Sequence, residues 1–289
     1  MNIDATTKLC GLIGNPVKHS CSPLIHNTIS QMIGNNMAYV TFCVSEEGVG
    51  KAVEGARALG ILGMNVTVPH KSAVIPYLKE IDPLAQKIGA VNTLVSVEGG
   101  YKGYNTDILG LKRALLRNSI TLKDQEVIIL GAGGASRAIN VLCAQEGAKA
   151  VYLLNRTLDK AKAIAESVNQ AYERDVIHPM MLSEYEKLSG SNYICIQTSS
   201  VGLAPNVNEV IIDDGKFYEK LAVGVDIIYN PATTAFMKKC QAVGKPAMNG
   251  LSMLLYQGVE AYELWNQCKV SDEITDKVYE ILKLHLQVK

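Results

Sequence analysis

Short apolar runs alternate along the chain with stretches whose apolar residues recur at helical spacing. Residues 9–13, 37–44 and 61–68 have the composition of strands, and helical patterns follow the first two of them. The unbroken apolar run at residues 127–130 is typical of a strand buried on both faces, and further strands are predicted at residues 150–154, 193–198 and 221–228. The alternation predicts an α/β fold.

Further elements are predicted between and after these strands. Helical patterns cover residues 81–88, 159–168 and 233–243, and two final helices begin at Leu251 and Ile274. An alternating strand runs to Val97, and Gly99 and Gly100 predict the turn of a hairpin. A long loop is expected over residues 199–210, at the end of a strand.

A glycine-rich turn joins the strand at residues 127–130 to a helical pattern. Gly131, Gly133 and Gly134 allow backbone N–H groups and the positive end of a helix to approach a pyrophosphate. Ser136 stands where the usual dinucleotide fingerprint has a third glycine. A tight turn that binds no ligand is therefore the alternative interpretation.

The end of the following strand favours one cofactor over another. Asn155, Arg156 and Thr157 stand about where an NAD site has an acidic residue for the ribose 2′-hydroxyl. An arginine with small polar groups instead suits a 2′-phosphate. The turn and Arg156 together predict NADP rather than NAD, although an arginine after a strand is often only a surface charge.

Polar side chains also gather where the first predicted strands end. Ser20 and Ser22 precede a helix, where two hydroxyls and free N–H groups can face one anion, but Ser22 as a simple N-cap is the plainer interpretation. Asn65, Thr67 and Lys71 follow the third strand, at the kind of strand end where α/β sheets bind ligands. An exposed lysine would be unremarkable by itself.

Three further polar residues have simple structural interpretations. Asp107 precedes an apolar helical run and, as its N-cap, needs no catalytic role. His19 and His26 show no metal-ligand spacing, so we expect a loop residue and a helix-surface residue, and no metal site.

Composition narrows the class of function. The 289 residues are 48% hydrophobic, enough for two domains, and the 28 basic residues equal the 28 acidic ones. We therefore expect small-molecule partners, with no nucleic acid and no membrane. The seven cysteines lack Cys-x-x-Cys spacing, and the chain shows no signal-peptide core or membrane-length apolar run, so a cytoplasmic location is expected.

Eight short segments, taken in order, resemble the shikimate dehydrogenase family. They are HSCSP at residues 19–23, NVTVPHK at 65–71, GAVNT at 89–93, GYNTD at 103–107, GAGGASRA at 131–138, NRT at 155–157, DIIYNP at 226–231 and GLSMLLYQ at 250–257. Each is weak evidence alone, whereas eight in order over nearly the whole chain are highly specific. Ser136 is normal for that family, but Gln197 stands where asparagine is expected.

The resemblance implies an N-terminal α/β substrate domain and a Rossmann-like NADP-binding domain, with C-terminal helices returning to the substrate domain. The corresponding ranges are 1–107, 108–249 and 250–289. The substrate would lie in the cleft between the two domains. A monomer or a homodimer is expected.

The resemblance also assigns roles to residues. Lys71 and Asp107 would be the catalytic pair. The residues implied to bind substrate are Ser20, Ser22, Asn65, Thr67, Asn92, Tyr229 and Gln257, although Tyr229 is equally explained as a packing residue. Those implied to bind the cofactor are Gly131, Ala132, Gly133, Gly134, Ala135, Asn155, Arg156, Thr157, Thr198, Ile227 and Gly250.

The implied activity is the NADP-dependent, reversible reduction of 3-dehydroshikimate to shikimate in aromatic amino-acid biosynthesis. A positioned ammonium such as that of Lys71 suits this reaction, because it can stabilise and protonate the developing alkoxide. Two alternatives remain at this point. One is a quinate/shikimate dehydrogenase with broader substrate and NAD use, and the other is an NADP-sensing module without catalysis.

Overall fold

The computed structural model describes residues 3–286, which divide into two compact units. One unit joins the chain up to Leu111 with the segment that begins at Leu254, and the other runs from Lys112 to Met253. The domain ends expected at residues 107 and 249 each lie four residues before the unit ends at 111 and 253.

Twelve strands and ten α-helices are found within the described residues. The strands are β1 (Lys8–Gly14), β2 (Met37–Cys43), β3 (Gly63–Val66), β4 (Glu80–Ile81), β5 (Thr93–Val97), β6 (Gly100–Tyr104), β7 (Glu126–Leu130), β8 (Ala150–Asn155), β9 (Ile177–Met181), β10 (Tyr193–Gln197), β11 (Leu221–Asp226) and β12 (Ala247–Met248). The helices are α1 (Ser22–Ile33), α2 (Val49–Ala58), α3 (Pro83–Ile88), α4 (Thr106–Arg117), α5 (Gly134–Gln145), α6 (Leu158–Tyr172), α7 (Gly215–Glu219), α8 (Ala235–Ala242), α9 (Leu251–Asn266) and α10 (Asp272–His285).

The first unit is built on a mixed sheet with the strand order β2-β1-β3-β5-β6-β4. β1 lies parallel to β2 and β3, whereas β5 is antiparallel to both β3 and β6. The predicted hairpin is present, but Gly100 already pairs with Val97, so the turn is formed by Glu98 and Gly99. Gly99 has φ of 79°, which glycine adopts without strain.

Helix α9 is fixed against this sheet by its single tryptophan. The Trp265 Nε1 donates to the Leu94 carbonyl at 2.8 Å. Gly63 on β3 makes room for the indole, since a Cβ there would lie 2.1 Å from Nε1. The sequence pattern of α9 therefore packs the C-terminal segment onto strands from the first hundred residues.

The outer strand β2 is partly covered by a side chain of α1. The Tyr39 N–H donates to Asn27 Oδ1 at 2.8 Å, and the Asn27 Nδ2 donates to the Tyr39 carbonyl at 3.0 Å. The carboxamide of Asn27 thus satisfies both backbone groups of one residue at the sheet edge.

The expectation that His26 lies on a helix surface is wrong. Its side chain is fully buried, with its ring centroid 4.2 Å from that of Tyr39 and 5.0 Å from that of Trp265. Burial lowers the pKa of His26 to about 3. The residues that bury it lie on β2, the next element along the chain, and on α9, more than 200 residues away in sequence.

The second unit is a parallel sheet with the order β12-β11-β10-β7-β8-β9. Numbered from β7, this is the 3-2-1-4-5-6 order of doubly wound dinucleotide-binding folds. The order reverses between β7 and β10. Ligands of such sheets bind outside the carboxyl ends of the strands at that reversal.

The central strands of the second sheet are as apolar as predicted, whereas two peripheral elements were not predicted. The side chains of residues 127–130 on β7 are fully buried. The edge strand β9 contains His178 and Pro179 and so lacks an unbroken apolar run. Helix α7 has only five residues, too few to show helical periodicity.

Three predicted helix starts need correction. The helix expected over residues 81–88 begins at Pro83, because Asp82 caps it by accepting from the Leu84 N–H at 2.9 Å. Ser22 is the first residue of α1 rather than its N-cap, which is Cys21. Asp107 is not an N-cap either, because α4 already begins at Thr106.

None of the helices in residues 3–286 has the length and apolar character needed to cross a membrane. The same residues contain no group of three or more His, Cys, Asp or Glu side chains placed to hold a metal ion.

Candidate active site

An ion pair joins the two residues proposed to be catalytic. The Lys71 Nζ lies 2.6 Å from Asp107 Oδ2, and the two side chains are 32% and 20% exposed. The carboxylate lies in the first turn of α4, where the positive end of the helix favours a negative charge. The pair is thus charged, partly shielded from water and still accessible to a small molecule.

The segment that carries Lys71 is anchored on both sides. The Lys71 carbonyl accepts from the Val91 N–H at 2.8 Å. The neighbouring His70 is fully buried and its Nε2 donates to the Val44 carbonyl at 2.8 Å. Sequence reasoning gave His70 no role, yet this contact fixes the backbone directly before the lysine.

Asn92 is fixed by the residues that open α4. Its Oδ1 accepts from the Thr106 N–H at 2.7 Å and lies 3.2 Å from the Thr106 hydroxyl. Thr93 Oγ1 lies 3.0 Å from both Asn92 Oδ1 and Thr106 Oγ1. Asn92 is therefore held next to the residue that precedes Asp107.

Asn65 connects β3 to the same group of side chains. Its Nδ2 donates to the Asn92 carbonyl at 3.2 Å and to Thr93 Oγ1 at 3.0 Å. Its Oδ1 accepts from the Tyr39 hydroxyl at 2.7 Å. Thr67, directly beyond β3, is half-buried and its N–H donates to the Ile13 carbonyl at 2.9 Å.

The two serines lie at the start of α1. Ser20 Oγ accepts from the Ser22 N–H at 3.2 Å, so Ser20 supplies the local contact that was expected of Ser22. The Ser22 side chain is buried near Tyr39. Burial raises the pKa of the Tyr39 phenol well above 10, and hydrogen bonding from Ser22 opposes this shift.

Gln257 is placed by a close crossing of α4 and α9. A Cβ at Gly110 would lie 2.5 Å from the backbone nitrogen of Gln257, so the two backbones touch only because residue 110 is glycine. Asp107 lies one turn before Gly110 on the same helix. The Gln257 side chain donates from Nε2 to the Leu254 carbonyl at 2.9 Å.

The glycine turn of the second unit has the predicted strand, turn and helix order. It follows β7 with Gly131 at φ of 105°, and Gly133 is the N-cap of α5. A Cβ at Gly133 or Gly134 would meet no atom within 4 Å, so open space lies against this backbone. Ala135 is in the first turn of α5 and half-buried. The turn can therefore receive a phosphate group.

The neighbouring strand end supports the turn and adds a positive charge. Asn155 Oδ1 accepts from the Ala132 N–H at 3.2 Å, and Asn155 Nδ2 donates to the Thr157 carbonyl at 2.9 Å. Arg156 and Thr157 are exposed directly after β8. The guanidinium is thus accessible at the place expected for a 2′-phosphate.

At the reversal of strand order, Thr198 contacts the glycine turn. Its Oγ1 donates to the Leu130 carbonyl at 2.9 Å and lies 3.2 Å from the Gly131 carbonyl oxygen. Gly250 packs on Ile227, because a Cβ at Gly250 would lie 2.0 Å from the Ile227 oxygen. Tyr229, two residues further on, is half-buried.

Gln197, found where asparagine was expected, forms a buried bridge. Its Nε2 donates to the Val201 carbonyl at 3.0 Å and lies 3.4 Å from Asp226 Oδ1, while its Oε1 accepts from the Ser199 N–H. Asp226 also accepts from the Thr234 hydroxyl at 2.7 Å. The longer side chain thus ties the start of the 199–210 loop to the end of β11.

The predicted residues are distributed between the two units. The first unit contains Ser20, Ser22, Asn65, Thr67, Lys71, Asn92, Asp107 and Gln257. The second contains Tyr229 and every residue proposed to bind the cofactor. Four residues of this site were not predicted from the sequence: Tyr39, His70, Thr93 and Thr106. The last three lie within the family-like segments at residues 65–71, 89–93 and 103–107.

Three family models match successive parts of the chain. They describe a shikimate dehydrogenase substrate binding domain at residues 12–94, shikimate / quinate 5-dehydrogenase at residues 114–203, and a shikimate 5′-dehydrogenase C-terminal domain at residues 250–280.

Individual relatives match over almost their whole length. The shikimate dehydrogenase (NADP(+)) of Caldanaerobacter subterraneus subsp. tengcongensis is 43% identical over 285 residues, which are 98% of this chain and 99% of that protein. The Listeria monocytogenes shikimate 5-dehydrogenase, solved in complex with shikimate and NAD, has a TM-score of 0.90 and 30% identity, and 98% of each chain is covered. The Thermus thermophilus shikimate 5-dehydrogenase, in complex with NADP(H) and shikimate, has a TM-score of 0.83 and 29% identity, covering 95% of this chain and 99% of that one. By its own motifs, its two sheets and these relatives, the chain belongs to the shikimate dehydrogenase family.

Proposed function

We propose that this chain is an NADP-dependent oxidoreductase that interconverts 3-dehydroshikimate and shikimate. The observation that carries the proposal is the 2.6 Å pair of Lys71 and Asp107, which lies in one compact unit with every polar side chain proposed to bind the substrate except Tyr229. A module that only sensed NADP would have no use for this pair. Relatives named shikimate dehydrogenase (NADP(+)) support the same activity.

The residues of the second unit fit the cofactor. Open space against Gly133 and Gly134 suits a pyrophosphate at the N-terminus of α5, and the exposed Arg156 suits a 2′-phosphate. The other backbone and side-chain contacts to the cofactor would come from Thr198, Ile227 and Gly250. When bound, NADPH supplies the hydride that reduces the ketone carbon, and NADP⁺ accepts it in the reverse direction.

Lys71 donates the proton that accompanies this reduction. Negative charge develops on the substrate oxygen as the ketone becomes an alcohol, and the Lys71 ammonium stabilises that charge and donates a proton to it. In the direction of oxidation the same nitrogen takes the hydroxyl proton. Asp107 orients the ammonium, stabilises its charge and accepts a hydrogen bond from a substrate hydroxyl.

Other polar side chains of the first unit are proposed to bind the substrate. Ser20 and Ser22, at the start of α1, are proposed to hold its carboxylate, where the positive end of the helix also favours an anion. Thr67, Asn92 and Gln257 are proposed to bind the ring hydroxyls. Each is a neutral hydrogen-bonding group, as a polyhydroxylated ring requires.

The partners proposed are small molecules only, and the chain is proposed to act in the cytoplasm as a monomer or a homodimer. Sedimentation equilibrium of the purified chain measures the oligomeric state. A larger assembly would contradict this part of the proposal.

The activity is tested by following NADPH absorbance with the purified chain. Shikimate and quinate are each offered with NADP⁺ and with NAD⁺, and the shikimate and NADP⁺ pair is expected to give the highest kcat/KM. A higher kcat/KM with quinate or NAD⁺ would favour the broader quinate/shikimate dehydrogenase. NADP⁺ binding without turnover of either substrate would instead identify a sensing module.

A further inference from the structure

We propose that Tyr39 is a positioning residue for the substrate: its hydroxyl fixes Asn65, and Asn65 fixes Asn92 so that Asn92 presents a hydrogen-bond donor to a ring hydroxyl. This inference rests on the proposed function. It also gives Asn65 a different role, since the resemblance had implied direct contact between Asn65 and the substrate.

The ring of Tyr39 is immobilised before its hydroxyl is used. It is 2% exposed, and it stacks on the His26 ring at a centroid distance of 4.2 Å and an angle of 21°. Trp265 packs on the same cluster, 5.9 Å from Tyr39. His26 is fully buried and contributes to this packing through its ring contacts. The phenol is therefore held in one position.

Hydrogen-bond donors and acceptors determine the orientation of the Asn65 amide. A backbone carbonyl can only accept a hydrogen bond. The Asn65 side-chain atom 3.2 Å from the backbone oxygen of Asn92 must therefore be the amide nitrogen. Its second hydrogen goes to Thr93 Oγ1 at 3.0 Å. The Asn65 oxygen is then the end that accepts from the Tyr39 hydroxyl at 2.7 Å. Both donor hydrogens of Asn65 are thus used inside the protein.

The same reasoning applies to Asn92. A backbone N–H can only donate, so the atom 2.7 Å from the Thr106 nitrogen must be the oxygen of the Asn92 side chain. The amide nitrogen is then the end that remains to serve a ligand. Asp107, next to Thr106, is an acceptor in its ionised form. Together these two residues offer one donor and one acceptor, which matches a hydroxyl group that both accepts and donates.

Burial makes this arrangement sensitive to the loss of a single hydroxyl. Asn65 is 4% exposed and Asn92 is 3% exposed, so water cannot easily replace a missing partner. Without the Tyr39 hydroxyl, the Asn65 oxygen loses the donor that holds it. The segment of Asn92 then loses one of its supports.

The test compares Tyr39→Phe with the matched control Tyr101→Phe. Tyr101 is also buried in the first unit, and its hydroxyl donates to the Ile61 carbonyl at 2.6 Å. Both variants delete one buried phenol hydroxyl, so both should lower the thermal unfolding midpoint. Only Tyr39→Phe should raise KM for shikimate, by about ten-fold if one substrate hydrogen bond is lost. Its kcat and its KM for NADP⁺ should stay near the wild-type values, because a ring-hydroxyl contact is made equally before and during hydride transfer.

A second measurement does not depend on turnover. Calorimetric binding of shikimate, without cofactor, should show weaker affinity for Tyr39→Phe than for Tyr101→Phe. Equal KM values and equal affinities in the two variants would overturn the positioning role. If the wild-type chain neither binds nor turns over shikimate, the proposed function itself is wrong, and that outcome is distinct from the first.

Discussion

We expect the stability of Asp226→Asn, measured relative to wild type, to increase as the pH rises from acidic to neutral and alkaline values. Asp226 is fully buried at the end of β11. Burial raises the pKa of its carboxyl from 3.8 to about 6, while hydrogen bonds from the Thr234 hydroxyl and the Ile228 N–H oppose the shift. Asparagine has the same shape but cannot ionise. In the wild type the Ile228 N–H donates to Asp226 Oδ1 at 3.0 Å, and the side-chain oxygen of asparagine can still accept this hydrogen bond.

The sign follows from which state holds the proton. Between pH 3.8 and about 6 the folded chain retains a proton that the unfolded chain has released, so stability falls as the pH rises through this interval. Above about pH 6 both states have released the proton, so the stability lost by the wild type no longer changes with pH. At 1.36 kcal/mol per pKa unit, the whole interval corresponds to about 3 kcal/mol, of which roughly 1.5 kcal/mol falls between pH 5 and pH 8.

The assay is urea unfolding of the wild type and Asp226→Asn at pH 5 and pH 8. The difference in unfolding free energy between variant and wild type should become more favourable to the variant by roughly 1.5 kcal/mol at the higher pH. Asp159→Asn is the control, because Asp159 is exposed and should give the same difference at both pH values. A pH-independent difference for Asp226→Asn would refute the reasoning.

Three other substitutions test the catalytic, cofactor and positioning roles. Lys71→Ala should lower kcat by a factor on the order of 10² to 10⁴ while shikimate binding stays measurable, and a wild-type kcat would exclude Lys71 as the proton donor. Arg156→Asp should remove the preference for NADPH over NADH in steady-state kinetics, and an unchanged preference would contradict the 2′-phosphate assignment. Gly110→Ala should raise KM for shikimate several-fold, on the order of 1 kcal/mol, because the new Cβ would lie 2.5 Å from the Gln257 nitrogen. Gly55→Ala, where a Cβ meets nothing within 4 Å, should leave KM unchanged and raise the unfolding midpoint.

Features encoded within a short stretch of sequence were predictable. The run at residues 127–130 followed by Gly131, Gly133 and Gly134 predicted the strand, turn and helix that the structure contains. Strand composition, backbone freedom of glycine and helix periodicity all act within about twenty residues. The predicted NADP cofactor is confirmed by relatives named shikimate dehydrogenase (NADP(+)), whereas the role of Arg156 stays a prediction.

Features that depend on distant residues were not predictable from local pattern. His26 lies on the buried stripe of α1 beside Ile25 and Ile29, but only the packing of Trp265 on α9 and Tyr39 on β2 shows what surrounds its polar ring. The role of Tyr39 likewise depends on Asn65, which lies 26 residues away in sequence. A single sequence shows which residues can donate or accept hydrogen bonds, but the pairing is decided by the packing of the elements.

The carboxamide of Asn27 has a consequence for the behaviour of the chain at high concentration. β2 is an outer strand of seven residues, and a strand of that length with open N–H and C=O groups can recruit a strand from another molecule. At Tyr39, near the middle of β2, both groups are already engaged by Asn27. An incoming strand would have to displace this side chain first, so Asn27→Ala should make concentrated solutions more prone to aggregate.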